Sequence, residues 1–345
     1  MIIPEIRHNL ITRDWVIISS ARSKRPDEFH KKLEGPEESA PDYKPDCPFC
    51  RGNEDKTPPE LFRIGAGDRG WQIRVIPNKF AALSREGELH RKVEGVKRAV
   101  SGVGIHEVII EHPLHNVTTA LLDNDGVRKI LLAYKTRYLE IYKDPRIQLV
   151  IIFKNHGEGA GTSLEHPHSQ IIGTPVMPPH VRHRMEEAMR YYDDTGECVV
   201  CKVMETELAD QERVVVDGVH FLSFVPYAAL SSFHIWIFPK RHTPSFGEIQ
   251  PDELEDLAGV LRTTLAQLYH GLNNPDFNYV IHSIPEVGRG TEYFHWYISI
   301  VPRLAKIAGF ELGSGMFINP SLPEDNAQFL RETTVDNPLT PIPEN

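Results

Sequence analysis

Two histidines and a glutamine stand two residues apart in His166-x-His168-x-Gln170, closing a glycine-rich run that opens at Asn155. On an extended strand this period-two spacing turns all three side chains to one face. Such a row suits phosphoryl chemistry: one imidazole attacks phosphorus, a neighbour orients it, and a third group hydrogen-bonds the non-bridging oxygens. Gly157, Gly159 and Gly161 permit tight turns and close backbone approach. Their amides and the Ser163 hydroxyl are expected to form a concave anion site, with the stretch Gly161-Thr162-Ser163 facing the phosphate. A glycine-rich loop alone is only a turn between strands; the histidine row beside it supplies the chemistry. His168 is the expected nucleophile, because a neutral imidazole is nucleophilic at physiological pH. Gln170 can bind phosphoryl oxygens but cannot move a proton at neutral pH, which disfavours water as the acceptor.

The four cysteines fall in two C-x-x-C pairs, Cys47/Cys50 and Cys198/Cys201. A redox pair would sit at a strand-to-helix junction, whereas Cys47-Pro48-Phe49-Cys50 lies in a proline-rich stretch, so zinc knuckles are expected. Each needs two more ligands. His115 and His166 follow the first pair, and His242 and His295 follow the second; the spacings are 51 and 53 residues. Cys47, Cys50, His115 and His166 would form one Cys2His2 site, and Cys198, Cys201, His242 and His295 the other. Tetrahedral Cys2His2 suits structural Zn2+, so two ions per chain are expected. His166 then fixes the strand that carries His168.

The elements positioning these residues occur twice. In the first half His106–Glu111 reads as a strand, followed by His115. A helical stripe comes next at Val127, Ile130, Leu131, Tyr134, Tyr138 and Ile141, then a buried strand from Gln148 to Phe153 and a strand opening at His166. The second half repeats the order: a strand at His234–Phe238, His242, and a helix from Pro251 with the stripe Leu254, Leu257, Leu261, Leu265 and Leu268. Phe277–His282 is its buried strand, and His295 opens its last strand. Position 168 is matched by Tyr297 and position 170 by Ser299, so the second half is a degenerate partner. Pro175, Pro178 and Pro179 mark the boundary, giving domains 1–178 and 179–345.

The 345 residues suffice for two domains, and 40% hydrophobic with 25% charged residues is the composition of a soluble enzyme. The net charge of -10 argues against a nucleic-acid surface, though not against a small phosphorylated substrate. No apolar run reaches membrane length, and the first residues lack a signal-peptide core, so no membrane contact and a cytoplasmic address are expected. Trp15, Trp71 and Trp236 read as core, while Lys97-Arg98 and Lys240-Arg241 read as solvated ends.

Ala21-Arg22-Ser23-Lys24-Arg25-Pro26, Cys47-Pro48-Phe49-Cys50, Pro77–Leu83, the Asn155–Gln170 run and Gly309-Phe310-Glu311 together resemble the galactose-1-phosphate uridylyltransferases, a branch of the histidine-triad superfamily. The resemblance covers nearly the whole chain. It implies an α+β fold of two tandem histidine-triad-like domains, each an antiparallel sheet with packed helices. It also implies a homodimer acting on a UDP-sugar and a hexose 1-phosphate through a uridylylated histidine. Arg22, Arg25, Asn78, Asn155, Gly161, Ser163 and Gln170 would hold the nucleotide, and Phe310 and Glu311 the hexose. Some members bind iron; Tyr297 and the Cys198/Cys201 pair point to a second zinc instead. The glycine-rich segment 309–319 is similar to a subgroup that includes an ADP-glucose phosphorylase. The alternative is therefore an ADP-glucose-type or dinucleoside polyphosphate phosphorylase that uses inorganic phosphate.

Overall fold

The structure is a computed structural model that describes residues 3–19, 41–65, 70–284 and 291–335. The first half contains strands β1 (Glu5–His8), β2 (Trp15–Ile18), β3 (Phe62–Ile64), β4 (Ile73–Pro77), β5 (Arg91–Glu94), β6 (Lys97–Val100) and β7 (Ile105–Ile110). Helix α1 (Asn124–Ile141) follows, then β8 (Leu149–His156) and β9 (His168–Thr174). The second half opens with α2 (Pro179–Thr195), α3 (Val199–Asp210), β10 (Val214–Asp217), β11 (Phe221–Phe224) and β12 (Ile235–Pro239). It continues with α4 (Pro251–Gly271), β13 (Phe277–His282), β14 (Tyr297–Pro302), α5 (Gly309–Ser314), β15 (Phe317–Asn319) and α6 (Pro323–Glu332).

Both long helices form where the stripes predict. Asp123 caps α1 by accepting the Gly126 N–H at 2.7 Å, and all six stripe residues of α1 are buried. Pro251 takes the first position of α4, where a missing N–H is harmless, and Glu253 reaches back to the Gln250 N–H at 2.8 Å. The five leucines of its stripe are buried too.

The two halves do not carry separate sheets. They share one ten-stranded sheet in the order β10-β11-β12-β14-β13-β8-β9-β7-β4-β3, and every pairing in it is antiparallel. Read outward from the central β8–β13 pair, the order is the same in both directions. The internal repeat is thus a pseudo-twofold, with α1 and α4 packed together and one apolar cluster spanning Ile130, Ile152, Ile171, Leu261, Ile281 and Ile298. A smaller sheet, β1-β2-β15, brings the C-terminal segment beside the N-terminal one, and β5 and β6 form a separate hairpin.

Three expectations need correction. His166 does not open a strand: Pro167 intervenes and β9 begins at His168, as β14 begins at Tyr297 rather than His295. Trp15 is half exposed and lies against the His8 ring at 4.5 Å, because β2 sits in the small marginal sheet. Lys240 and Arg241 are not free ends, since Lys240 pairs with Asp217 at 2.6 Å and Arg241 grips Glu253 at 2.6 and 2.9 Å. Lys97 and Arg98 are exposed, and Trp71 and Trp236 are buried.

A buried ion pair lies at the seam between the halves. Lys154, opposite Tyr279 in the β8–β13 register, pairs with Glu111, which also accepts from Tyr134 and Thr119 at 3.0 Å each. Tyr134 and Tyr279 share a hydroxyl contact at 2.5 Å. Burial alone would raise the Glu111 carboxyl, but Lys154 and these donors hold it below the usual range. Removing one partner leaves a buried charge uncompensated, so Lys154→Met should cost about 3–5 kcal/mol. The urea unfolding midpoint measures this loss.

Candidate active site and two metal clusters

The start of β9 is held from three sides. His166 turns its Nδ1 to Cys50 Sγ at 3.6 Å and its Nε2–H to the His112 carbonyl at 2.7 Å. Phe49, between the two cysteines of its loop, sets its ring edge-on to both His166 and His168, at 6.0 and 5.5 Å. His168 donates its Nδ1–H to the His166 carbonyl at 2.9 Å. A carbonyl can only accept, so this contact fixes the tautomer and leaves the lone pair on Nε2. Burial, the largest influence, holds His168 below the ordinary imidazole range, and Lys154 acts in the same direction. The ring is therefore neutral at pH 7, with its nucleophilic nitrogen fixed in direction.

Gln170, two residues on, is oriented by a histidine that no motif singled out. His106 on β7 accepts the Ala82 N–H at its Nδ1 (3.1 Å), so its Nε2–H donates to Gln170 Oε1 at 2.7 Å. Asn78 donates to the same oxygen at 3.3 Å and accepts the Phe80 N–H at 2.8 Å. With its oxygen occupied, Gln170 presents its amide N–H groups. The degenerate half keeps this arrangement: His234 accepts the Leu230 N–H at 3.3 Å and meets Ser299 Oγ at 2.9 Å through Nε2. The signal for His106 was its equivalence to His234 on the repeat, one strand away from the motif.

The glycine-rich loop is built differently from the amide cradle expected. Gly159 donates its N–H to Asp276 Oδ2 at 2.7 Å, and a Cβ on Gly157 would collide with the same carboxylate. The amides of Ala160, Gly161 and Thr162 close turns within the loop. Gly157 and Gly161, at φ 82° and 87°, take the left-handed conformations that glycine permits. These glycines thus admit a carboxylate from the second half. Ser163 and Gly161 are exposed, and the Thr162 hydroxyl donates to the Leu164 carbonyl at 3.1 Å. Asn155 accepts from Asn278 on β13 at 2.8 Å, which leaves its amide N–H groups to donate. Arg22 and Arg25 lie outside the described residues. Phe310 and Glu311 are on α5, where Phe310 is half exposed and the Glu311 carboxylate accepts the Ala308 N–H at 3.1 Å. No hydrogen bond joins them to the His168 strand among the described residues.

Both sets of cysteines and histidines come together. Cys47, Cys50, His115 and His166 form one cluster, and Cys198, Cys201, His242 and His295 the other, each with its ligand atoms within 4.8 Å of one another. Cys50 Sγ lies 3.5 and 3.6 Å from the ring nitrogens of His115 and His166, and Cys201 Sγ 3.4 Å from those of both His242 and His295. Tetrahedral coordination with M–S about 2.3 Å and M–N about 2.05 Å requires about 3.5 Å between such atoms, so both sets fit a metal ion. Outer contacts set the ring tautomers: His115 Nε2 lies 3.4 Å from Glu165, and His242 Nε2 3.5 Å from the Thr291 carbonyl. The second pair sits at a helix start, with Cys198 capping α3.

Comparison with known proteins decides the family. The models of the galactose-1-phosphate uridyl transferase N-terminal and C-terminal domains match residues 1–178 and 184–335. The chain belongs to that family. ADP-glucose phosphorylase from Arabidopsis thaliana is 40% identical over 96% of this chain and 93% of its own length. Galactose-1-phosphate uridylyltransferase from Thermotoga maritima is 28% identical over 96% and 99%. Among solved structures, the Arabidopsis ADP-glucose phosphorylase with bound ADP-glucose superimposes with a TM-score of 0.81 at 36% identity, covering 97% of this chain and 100% of that one. A uridylyltransferase structure gives 0.72 at 26%, covering 95% and 97%. The protein is therefore an enzyme of this transferase family, and no helix among its described residues is long and apolar enough to cross a membrane.

Elemental analysis should find close to two metal ions per chain. Cys50→Ser should lose one of them together with thermal stability. Cys201→Ser should lose the other and leave activity intact, because that half carries Tyr297 at the position equivalent to His168.

Proposed function

We propose that the protein transfers a nucleotidyl group from a nucleoside diphosphate hexose through a covalent adduct on His168. In this reading the donor is of the ADP-glucose type and the acceptor is inorganic phosphate. The observation that carries the proposal is the His168 ring: neutral, anchored through Nδ1 with its lone pair on Nε2, and two residues along β9 from Gln170, whose oxygen is occupied. Nε2 forms a bond to the α-phosphorus as the bridging oxygen leaves with hexose 1-phosphate. The His166 carbonyl stabilises the Nδ1–H of the charged ring, and Gln170 donates to the non-bridging oxygens. A phosphate oxygen then displaces the imidazole and releases the nucleoside diphosphate. The 40% identity to a phosphorylase over nearly the full chain favours this acceptor, as does the glycine-rich segment 309–319.

The second reading is uridylyl transfer from UDP-glucose to galactose 1-phosphate, favoured by His166-Pro167-His168-x-Gln170 and the 28% identical Thermotoga enzyme. In both readings Arg22 and Arg25 grip the phosphates, with Asn78, Asn155, Gly161, Thr162 and Ser163 around the nucleotide. Phe310 and Glu311 line the hexose end of the site, contributed across the subunits of a homodimer. Zinc is the metal that Cys2His2 donors favour, and at His166 it would hold the start of β9 in place.

ADP- and UDP-sugars tested against inorganic phosphate, glucose 1-phosphate and galactose 1-phosphate separate the two readings. Phosphate-dependent release of ADP supports the first, and UDP-galactose formation the second. His168→Gly should abolish the acid-labile adduct while fold and metal content persist; near wild-type turnover, or a label on another residue, refutes covalent catalysis there. His106→Phe removes one donor to Gln170 and should lower kcat/KM about tenfold, an effect of ~1.4 kcal/mol.

A further inference from the structure

In the second half the face equivalent to that of His168 borders a cavity. Helix α2 lies against β13 and β14 there, and the cavity between them measures about 250 Å3. Its walls are apolar, formed chiefly by Ile11, Ile151, Val181, Ala188, Tyr293 and Phe294. At one end stands Arg184. Its Nη1 donates to His282 Nδ1 at 3.0 Å and to Tyr297 OH at 3.1 Å. These two residues face each other across the β13–β14 register. Both partners are neutral: burial, with Arg184 beside it, holds His282 well below the ordinary imidazole range.

Among the described residues Arg184 is therefore a cation without a counter-charge. No carboxylate pairs with it among the described residues. Glu187, one turn along α2, is bound to Arg13 at 3.3 Å and Arg190 at 3.0 Å, and Asp14 influences Tyr297 only at longer range. The first turn of α2 lines the same cavity through His180 and Val181, adding the positive end of a seventeen-residue helix. A guanidinium facing an apolar enclosure is stable when an anion or water meets it.

Size and wall chemistry narrow the anion. An apolar cavity of about 150 Å3 can hold benzene, so 250 Å3 leaves room for a ring and a short acidic arm but not for a nucleotide. A single cation selects a monoanion, and the planar guanidinium fork matches a carboxylate. We propose that this cavity is a second ligand site, taking a small aromatic monocarboxylate whose carboxylate meets Arg184 and whose ring lies between Ile151, Ala188 and Tyr293. The site lies close to the chemistry: Ile151 is two residues from Phe153, which pairs with Gln170.

Titration calorimetry on the full-length, metal-loaded protein tests this with 3-phenylpropanoate as the probe. One equivalent should bind per chain, and the uncharged 3-phenylpropan-1-ol should bind at least about tenfold more weakly. Arg184→Met should weaken the acid by a similar factor, Arg184→Lys should recover part of the loss, and Ala188→Leu should weaken acid and alcohol alike. His168→Gly should bind as wild type. The proposal fails if the acid shows no binding at roughly 10 mM, if the alcohol matches it, or if Arg184→Met binds unchanged. Binding lost in His168→Gly would place the probe in the catalytic site and also overturn it.

Discussion

The antiparallel pairing of β8 with β13 is the constraint from which the rest of the molecule follows. It converts two half-sheets into one and lets α1 and α4 bury a common apolar cluster, so neither half covers its core alone. The same seam fixes polar groups that matter to the chemistry. Asn155 is held by Asn278, and Lys154 lies opposite Tyr279. A strand slipped by one residue would turn each of these to the wrong face of the sheet.

Within that frame the two halves have diverged in the side chains above the sheet while keeping the supports beneath. Each retains a Cys2His2 cluster whose final histidine lies just before β9 or β14, and a further histidine at or beside the start of the neighbouring strand, His106 or His234. The first half places His168 and Gln170 on these supports, where the second places Tyr297 and Ser299. The position held by His168 in one half is held by Tyr297 in the other, where it accepts a hydrogen bond from Arg184. One scaffold thus carries a His168 face in one half and an apolar cavity in the other.

What the sequence makes legible is whatever repeats or alternates. The helical stripes at Val127–Ile141 and Leu254–Leu268, the C-x-x-C pairs and the two ligand histidines of each half are periodic or spaced signals, and the structure assembles them as read. The start of β9 was misread by two residues because Pro167 has no N–H to pair, a local fact that the alternation of His166 and His168 conceals. The origin of the glycine pattern was hidden for a different reason. Asp276 lies more than a hundred residues from Gly159 in the chain, and no local periodicity connects them. Lys240 and Arg241 look like free surface charge until Asp217 on β10 meets the first and Glu253 at the start of α4 meets the second.

The contact between Asp276 and the glycine loop also bears on how such a molecule can change over time. A fragment ending near residue 178 would contain His168 and all four residues of the first Cys2His2 cluster. It would lack the carboxylate around which its own loop is folded, and the Asn278 amide that steadies Asn155. The first half is therefore not a transferable module. Part of its architecture is lent by the second half, so cutting the chain between them would dismantle the glycine loop even with every residue of that loop present.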